Sequence, residues 1–205
     1  MTGLRERKKQ QTRERIVEEA GRLFGEKGFQ STTMEEIAHS AGVSPGTLYN
    51  YFGTKSTVLL GHIGARVANM TEAGAAVVAD PPADVVVAVQ TLAGVYLDRF
   101  ISLERELLRE LFAAGFGPAS DLMPELIRLD ELLLDQLVAL LVRFTEAGDV
   151  NESVEAGEAA MALYSLLVTQ LIMYVSMEDM PAEKLRLAAA RHIEIAFSGL
   201  RAQKG

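Results

Sequence analysis

The sequence predicts an all-α chain, with three short helices before residue 54 and six mostly longer ones after it. Apolar residues recur at spacings of three and four almost throughout. Period-two alternation is scarce, and no Asn-Gly or Asp-Gly hairpin turn occurs. The breaks are helix stops. Gly28 closes a helix carrying Ile16, Ala20, Leu23 and Phe24. Ala41-Gly42-Val43 and Gly53 read as short turns, and Pro81-Pro82 ends a long helix. Gly115, Gly117 and Pro118 form a loop, Gly148-Asp149 ends a further helix, and Met180-Pro181 separates the last two, with Pro where a helix can start. Val85-Val86-Val87, the one β-branched cluster, sits inside a helical-period run. Short connections between such helices imply a bundle. A shift in composition near residues 53–60 divides the chain into segments 1–60 and 61–205.

Composition excludes several classes. A chain of 205 residues buries roughly 70% of its unfolded surface and needs no covalent staple. The absence of Cys removes disulfide scaffolds, Cys-ligated zinc, iron–sulfur clusters and thiol catalysis. A net charge of −8 argues, by itself, against a nucleic-acid partner. The charge is uneven, however. Residues 1–60 hold nine bases and seven acids, whereas 61–205 hold eleven bases and twenty-one acids. A basic arm (Arg5, Arg7, Lys8, Lys9, Arg13, Arg15) on an acidic body reads either as a phosphate-binding end or as a frayed, solvated terminus. No apolar run follows Met1-Thr2-Gly3-Leu4-Arg5, so no signal peptide is read there and a cytoplasmic protein is expected. Ala159–Met177 is uncharged and close to membrane-spanning length. Its internal polar residues and acidic flanks favour instead a helix covered on two sides, by its own domain and by a partner; no membrane role is expected.

The densest local signal runs from Thr33 to Phe52. Thr33-Met34-Glu35-Glu36 is a capping box. Ile37, Ala38 and Ala41 form the inner face of the helix it starts, and Ala38 is small enough for a second helix to cross closely. Gly42 can adopt the left-handed conformation of a tight turn, and Val43 plugs the corner. Ser44 and Pro45 read as N-cap and first residue of the next helix. Leu48 and Phe52 point inward, leaving Gly46, Thr47, Tyr49, Asn50 and Tyr51 outward. This is the spacing of a helix-turn-helix. A structural two-helix corner would share the inner face. The outer face differs: hydrogen-bonding residues with almost no charge suit base edges and phosphates.

The run from Ile16 to about Leu60 resembles the DNA-binding domain of the TetR family of bacterial transcriptional repressors. The matching pieces are Ile16, Ala20, Leu23-Phe24, Lys27-Gly28-Phe29, Thr32-Thr33-Met34, Ile37-Ala38, Ala41-Gly42-Val43-Ser44, Gly46-Thr47-Leu48-Tyr49, Tyr51-Phe52, Lys55 and Leu59-Leu60. The resemblance implies a three-helix DNA-binding domain followed by a six-helix regulatory and dimerisation bundle. It also implies that Ser44 to Tyr51, Pro45 included, enter the major groove. Gly46, Thr47 and Asn50 would then read base edges, since Asn suits adenine and a Thr methyl suits thymine. Tyr49 and Tyr51 would meet phosphates or thymine methyls. Thr33 would cap a helix facing a phosphate, with Thr32 in a similar place, and Lys55, after a Thr54 cap, would clamp a phosphate. The basic arm would add contacts that fall off with salt.

The resemblance further implies a homodimer, through the last two helices, on a near-palindromic operator with half-sites about 34–36 Å apart per helical turn. A stripe of Leu185, Ala189, Ile193, Ala196 and Leu200 fits such a contact. A small effector would bind in the bundle and shift the spacing of the reading heads. Tyr96, Arg99, Phe100, Phe112, Phe116, Met123, Leu137, Tyr164 and Met173 are candidate lining residues, although each also suits plain core packing; Met and Phe suggest an apolar or aromatic ligand. Arg99 and Arg109 could meet an acidic group or pair with Asp98, Glu104 or Glu106. His39, His62 and His192 lack partners at ligand spacing, and no catalytic motif appears, so neither an enzyme nor a metal or cofactor site is expected. The alternative reading is a helical adaptor or scaffold without a DNA role.

Overall fold

The computed structural model describes residues 2–115 and 123–200, and among these every regular element is an α-helix. The helices are α1 (Thr2–Lys27), α2 (Met34–Ser40), α3 (Pro45–Phe52), α4 (Lys55–Ala79), α5 (Val85–Ile101), α6 (Arg105–Gly115), α7 (Met123–Glu146), α8 (Ala156–Ser176) and α9 (Ala182–Leu200). They form two compact units. The first comprises Met1–Arg66 and Leu103–Leu126; the second comprises Val67–Ser102 and Ile127–Gly205. The boundary between these units falls inside α4, and α6 belongs to the same unit as α1, α2 and α3.

The first helix is not short. It runs through the whole basic arm, because Arg, Lys, Gln and Glu are strong helix formers. Side chains four apart also pair along it, as in Gln10 to Glu14 at 2.8 Å and Arg22 to Glu26 at 2.8 Å. It ends where Gly28 takes a left-handed φ of 83°. Ile16, Val17, Ala20 and Phe24 of α1 are buried with Phe29, Ile37, Leu48, Phe52 and Leu59, and α6 adds Leu107, Leu108 and Leu111. The rings of Phe24 and Phe29 lie 5.2 Å apart, within the range of a favourable aromatic pair.

In the second unit α9 packs on both α5 and α8. Val89, Leu92, Leu137, Leu140, Leu163, Leu185, Ile193 and Phe197 supply a core at native burial. Side chains close the helix ends. Asp84 accepts from the Val86 and Val87 amides, and Glu155 from those of Gly157 and Glu158. Arg143 donates to the terminal carbonyls of α4 at Val78 and Ala79. The Pro81-Pro82, Gly148 and Met180-Pro181 breaks stand as read, except that Pro181 precedes the helix and lends its carbonyl to the Lys184 and Leu185 amides. The break at Ser102–Glu104 contains neither Gly nor Pro. By length and composition α8 could cross a membrane; here it buries Leu163, Leu167, Leu171 and Tyr174 within the second unit.

Candidate nucleic-acid interface

The candidate interface is built on α2 and α3. Thr33 caps α2 in a complete capping box. Its Oγ1 accepts from the Glu36 amide at 3.2 Å, and its own amide donates to the Glu36 carboxylate at 2.8 Å. Lys27 of α1 pairs with the same carboxylate. The Lys27 ammonium, with the Thr33 amide and hydroxyl, draws the Glu36 carboxyl down to about 2. At the other end of α2 the Val43 amide reaches the Ala38 carbonyl at 2.9 Å and the Gly42 amide reaches that of His39 at 3.1 Å. With Gly42 at φ 62°, this pair of bonds is a Schellman turn, and it determines how α3 leaves α2. Ala38 is fully buried at the crossing. Ser44 then caps α3 by accepting from the Thr47 amide at 3.2 Å, with Pro45 at the first turn.

These locks orient the α3 surface. Leu48 and Phe52 are buried. Ser44, Pro45, Gly46, Tyr49 and Asn50 are exposed, and Thr47 and Tyr51 half-exposed. The Thr47 and Ser44 hydroxyls lie 2.8 Å apart, so the Thr47 oxygen is engaged at the cap. The surface bears hydrogen-bonding groups and two aromatic rings, and no charged side chain.

The arm completes the face in a way the sequence did not reveal. Arg7, Lys9 and Arg13 of α1 line one open groove of about 870 Å³ with Asn50 and Tyr51 of α3. Arg5 and Lys8 approach Tyr51 in a second groove of about 480 Å³. The Arg13 guanidinium sits 5.1 Å from the centre of the Phe52 ring, a cation–π distance. The available signal was the run of helix formers from Arg5 to Arg15, which favours continuous helix over a frayed arm.

Two predicted contact residues are engaged elsewhere. Thr32 is 1% exposed, and its hydroxyl donates to the Gly28 carbonyl at 2.8 Å, so it stands behind the surface. The Lys55 ammonium is surrounded by backbone carbonyls of residues 29, 30 and 32.

The expected effector residues divide between the two units. Phe112 belongs to the first unit, whereas Tyr96, Arg99, Phe100, Leu137, Tyr164 and Met173 belong to the second. Phe116 lies outside the described residues, as does the side chain of Met123. Leu137 is wholly buried, while Met173 is 43% exposed on the outer side of α8 and lines no interior. Tyr96 donates to Gln136 at 2.9 Å, and Gln136 donates to the Thr71 carbonyl. Burial pushes the Tyr96 phenol up to about 12. Tyr164 is hydrogen-bonded to Asp130, and burial raises both groups. Asp98 pairs with Arg186 of α9 at 2.6 Å, not with Arg99. Among the described residues no group of His, Asp and Glu is arranged to hold a metal ion.

Residues 16–61 match the model of the N-terminal domain of bacterial regulatory proteins of the tetR family. The HTH-type transcriptional regulator TcmR of Streptomyces glaucescens is 41% identical over 63 residues, which are 31% of this chain and 28% of TcmR. UidR of Escherichia coli strain K12, also an HTH-type transcriptional regulator, is 44% identical over 50 residues, 24% of this chain and 26% of UidR. The chain thus spans about a quarter of the length of the curated relatives it matches. Across nearly the whole fold it is similar to Thermus thermophilus FadR, a TetR-family transcriptional repressor solved in complex with lauroyl-CoA. That likeness has a TM-score of 0.74 and 25% identity, and covers 94% of this chain and 97% of FadR. These relatives are regulators and not enzymes. Residues 16–61 thus carry the N-terminal domain of the tetR family of bacterial regulatory proteins, and the all-α fold is similar to that of a TetR-family transcriptional repressor.

Proposed function

We propose that the protein is a cytoplasmic, sequence-specific DNA-binding repressor that acts as a homodimer on a near-palindromic operator and leaves it when a small ligand binds. The observation that carries this reading is the uncharged hydrogen-bonding face of α3, held by caps at both ends of the turn and flanked by the basic helix α1. Asn50, Thr47 and Gly46 serve as base-edge readers; Ser44, Pro45, Tyr49, Tyr51 and the capped Thr33 supply backbone and methyl contacts. Exposed Met161, Ile172 and Met173 on α8, with Leu187 and Ile195 on α9, support a partner helix pair packed against these two helices. An acidic body limits non-specific DNA binding and leaves affinity to specific contacts and dimer geometry.

The effector reading is an apolar or aromatic body with a polar end, accommodated in the helical bundle. The lauroyl chain bound by FadR has that chemistry, and the Tyr96–Gln136 pair offers polar groups beside an apolar core. Gel retardation of the DNA upstream of its own gene tests the function. Retardation that weakens steeply with salt, and that is reversed by a long-chain acyl or aromatic compound, is expected. An adaptor without a DNA role gives no retardation at any salt.

A further inference from the structure

The Lys55 ammonium lies 2.7 Å from the Phe29 carbonyl, 2.8 Å from that of Thr32 and 3.3 Å from that of Gln30. Its nitrogen is also 4.4 Å from the centre of the Phe29 ring, a cation–π distance. An ammonium has three N–H donors and no acceptor, so three carbonyls use its full hydrogen-bonding capacity. These carbonyls belong to the turn that connects α1 to the Thr33 cap of α2. The same turn is also held by the Thr32 amide to Phe29 at 3.2 Å, by the Thr32 hydroxyl to Gly28 at 2.8 Å, and by the Gln30 side chain, which donates to Glu110 of α6 at 2.7 Å. Because α2 is joined to α3 through the Schellman turn, the entry angle of α2 is inherited by α3.

We propose that Lys55 is a positioning residue for DNA binding. It holds the 29–32 turn, and through it the orientation of α2 and α3, instead of clamping a DNA phosphate. The inference rests on the DNA-binding reading above. To reach a phosphate, the ammonium would have to leave three close acceptors and an aromatic face within its own domain.

Salt dependence separates the two roles. A lost phosphate contact lowers the slope of log affinity against log salt by about 0.9, whereas a lost positioning contact leaves the slope unchanged. Charge-preserving substitution separates them again. A guanidinium binds phosphate at least as well as an ammonium, but its planar fork does not match three carbonyls converging on one nitrogen. The experiment uses the full chain and a duplex selected by the wild-type protein from a random-sequence pool. Anisotropy titrations run from low to moderate salt, at a temperature where circular dichroism shows every variant folded.

Lys55→Met is expected to weaken binding by about tenfold to a hundredfold, from the loss of charge-assisted bonds, with the wild-type slope. Lys55→Arg is expected not to restore the affinity. Without DNA, amide exchange in residues 28–33 is expected to accelerate in both variants. A shallower slope in Lys55→Met, wild-type affinity in either variant, or unchanged exchange overturns the proposal. If Lys55→Met does not fold, Lys55→Arg alone decides by the same affinity and exchange criteria. A wild-type protein that selects no duplex overturns the DNA-binding reading itself, an outcome distinct from a Lys55 failure, in which the wild type binds.

Discussion

Helices α3 and α8 each leave one face uncovered, and the chemistry of the two faces is opposite. The free face of α3 carries Ser44, Gly46, Tyr49 and Asn50; that of α8 carries Met161, Ile172 and Met173. A helix face with hydrogen-bonding groups and little charge matches a surface that presents fixed donors and acceptors, as a DNA groove does. A face of Met and Ile gains only from contact with another apolar surface. Exposure alone therefore separates neither role from the other; the atoms exposed do.

The largest test of this contrast reverses the chemistry of α8. Replacing Ile172 and Met173 together by Glu buries unpaired carboxylates in the proposed dimer contact, which is expected to weaken association by about 3–5 kcal/mol. Sedimentation equilibrium reads this as a dimer becoming a monomer, with operator binding lost in parallel. A double variant that remains dimeric at micromolar concentration shows that the partner covers another face.

Removing the proposed reader on α3 is expected to have a smaller effect. Asn50→Ala is expected to cost about 1–3 kcal/mol per half-site and to relax the preference for one base, with dimerisation intact. Competition titrations against duplexes altered one base pair at a time would show it; an unchanged base preference removes Asn50 from the readers.

The smallest effect concerns the cap beneath the reading surface. The Lys27 ammonium and the Thr33 amide and hydroxyl draw the Glu36 carboxyl of the folded chain down to about 2, well below the ordinary carboxylate range. A depressed folded value means that the charged form is favoured by folding. The contribution is therefore complete above the unfolded value and fades as pH falls from about 4.5 towards 2. Carbon-detected NMR titration of Glu36 is expected to find the low value, and Lys27→Met to raise it towards the ordinary carboxylate range. An identical titration in wild type and Lys27→Met would remove the ion pair as its principal cause.

The α3 face was legible in the sequence because every device that forms it is local. Thr33 with Glu36, Gly42 with Val43, and Ser44 with Pro45 act within three or four residues. Leu48 and Phe52 declare the inner side by their spacing. The place of α6 was not legible in the same way. Residues 103–126 belong to the N-terminal unit, and no composition shift marks a segment whose Leu107, Leu108 and Leu111 serve a core formed by residues far earlier in the chain. Met173 misled for a related reason. A thioether at helical spacing looks the same whether it faces a core or a partner.

Local chemistry in the sequence thus determined the helices, the caps, the helix-turn-helix and the identity of its outer face, because those depend on neighbours within one or two turns. Tertiary structure alone decided which polar groups were free to act. Thr32 and Lys55 read as contact residues by type and place in the chain. Folding buries the first and surrounds the second with carbonyls more than twenty residues away. Hydrogen bonds between distant segments leave no periodicity to read, so availability, unlike residue type, emerges only when the chain has closed on itself.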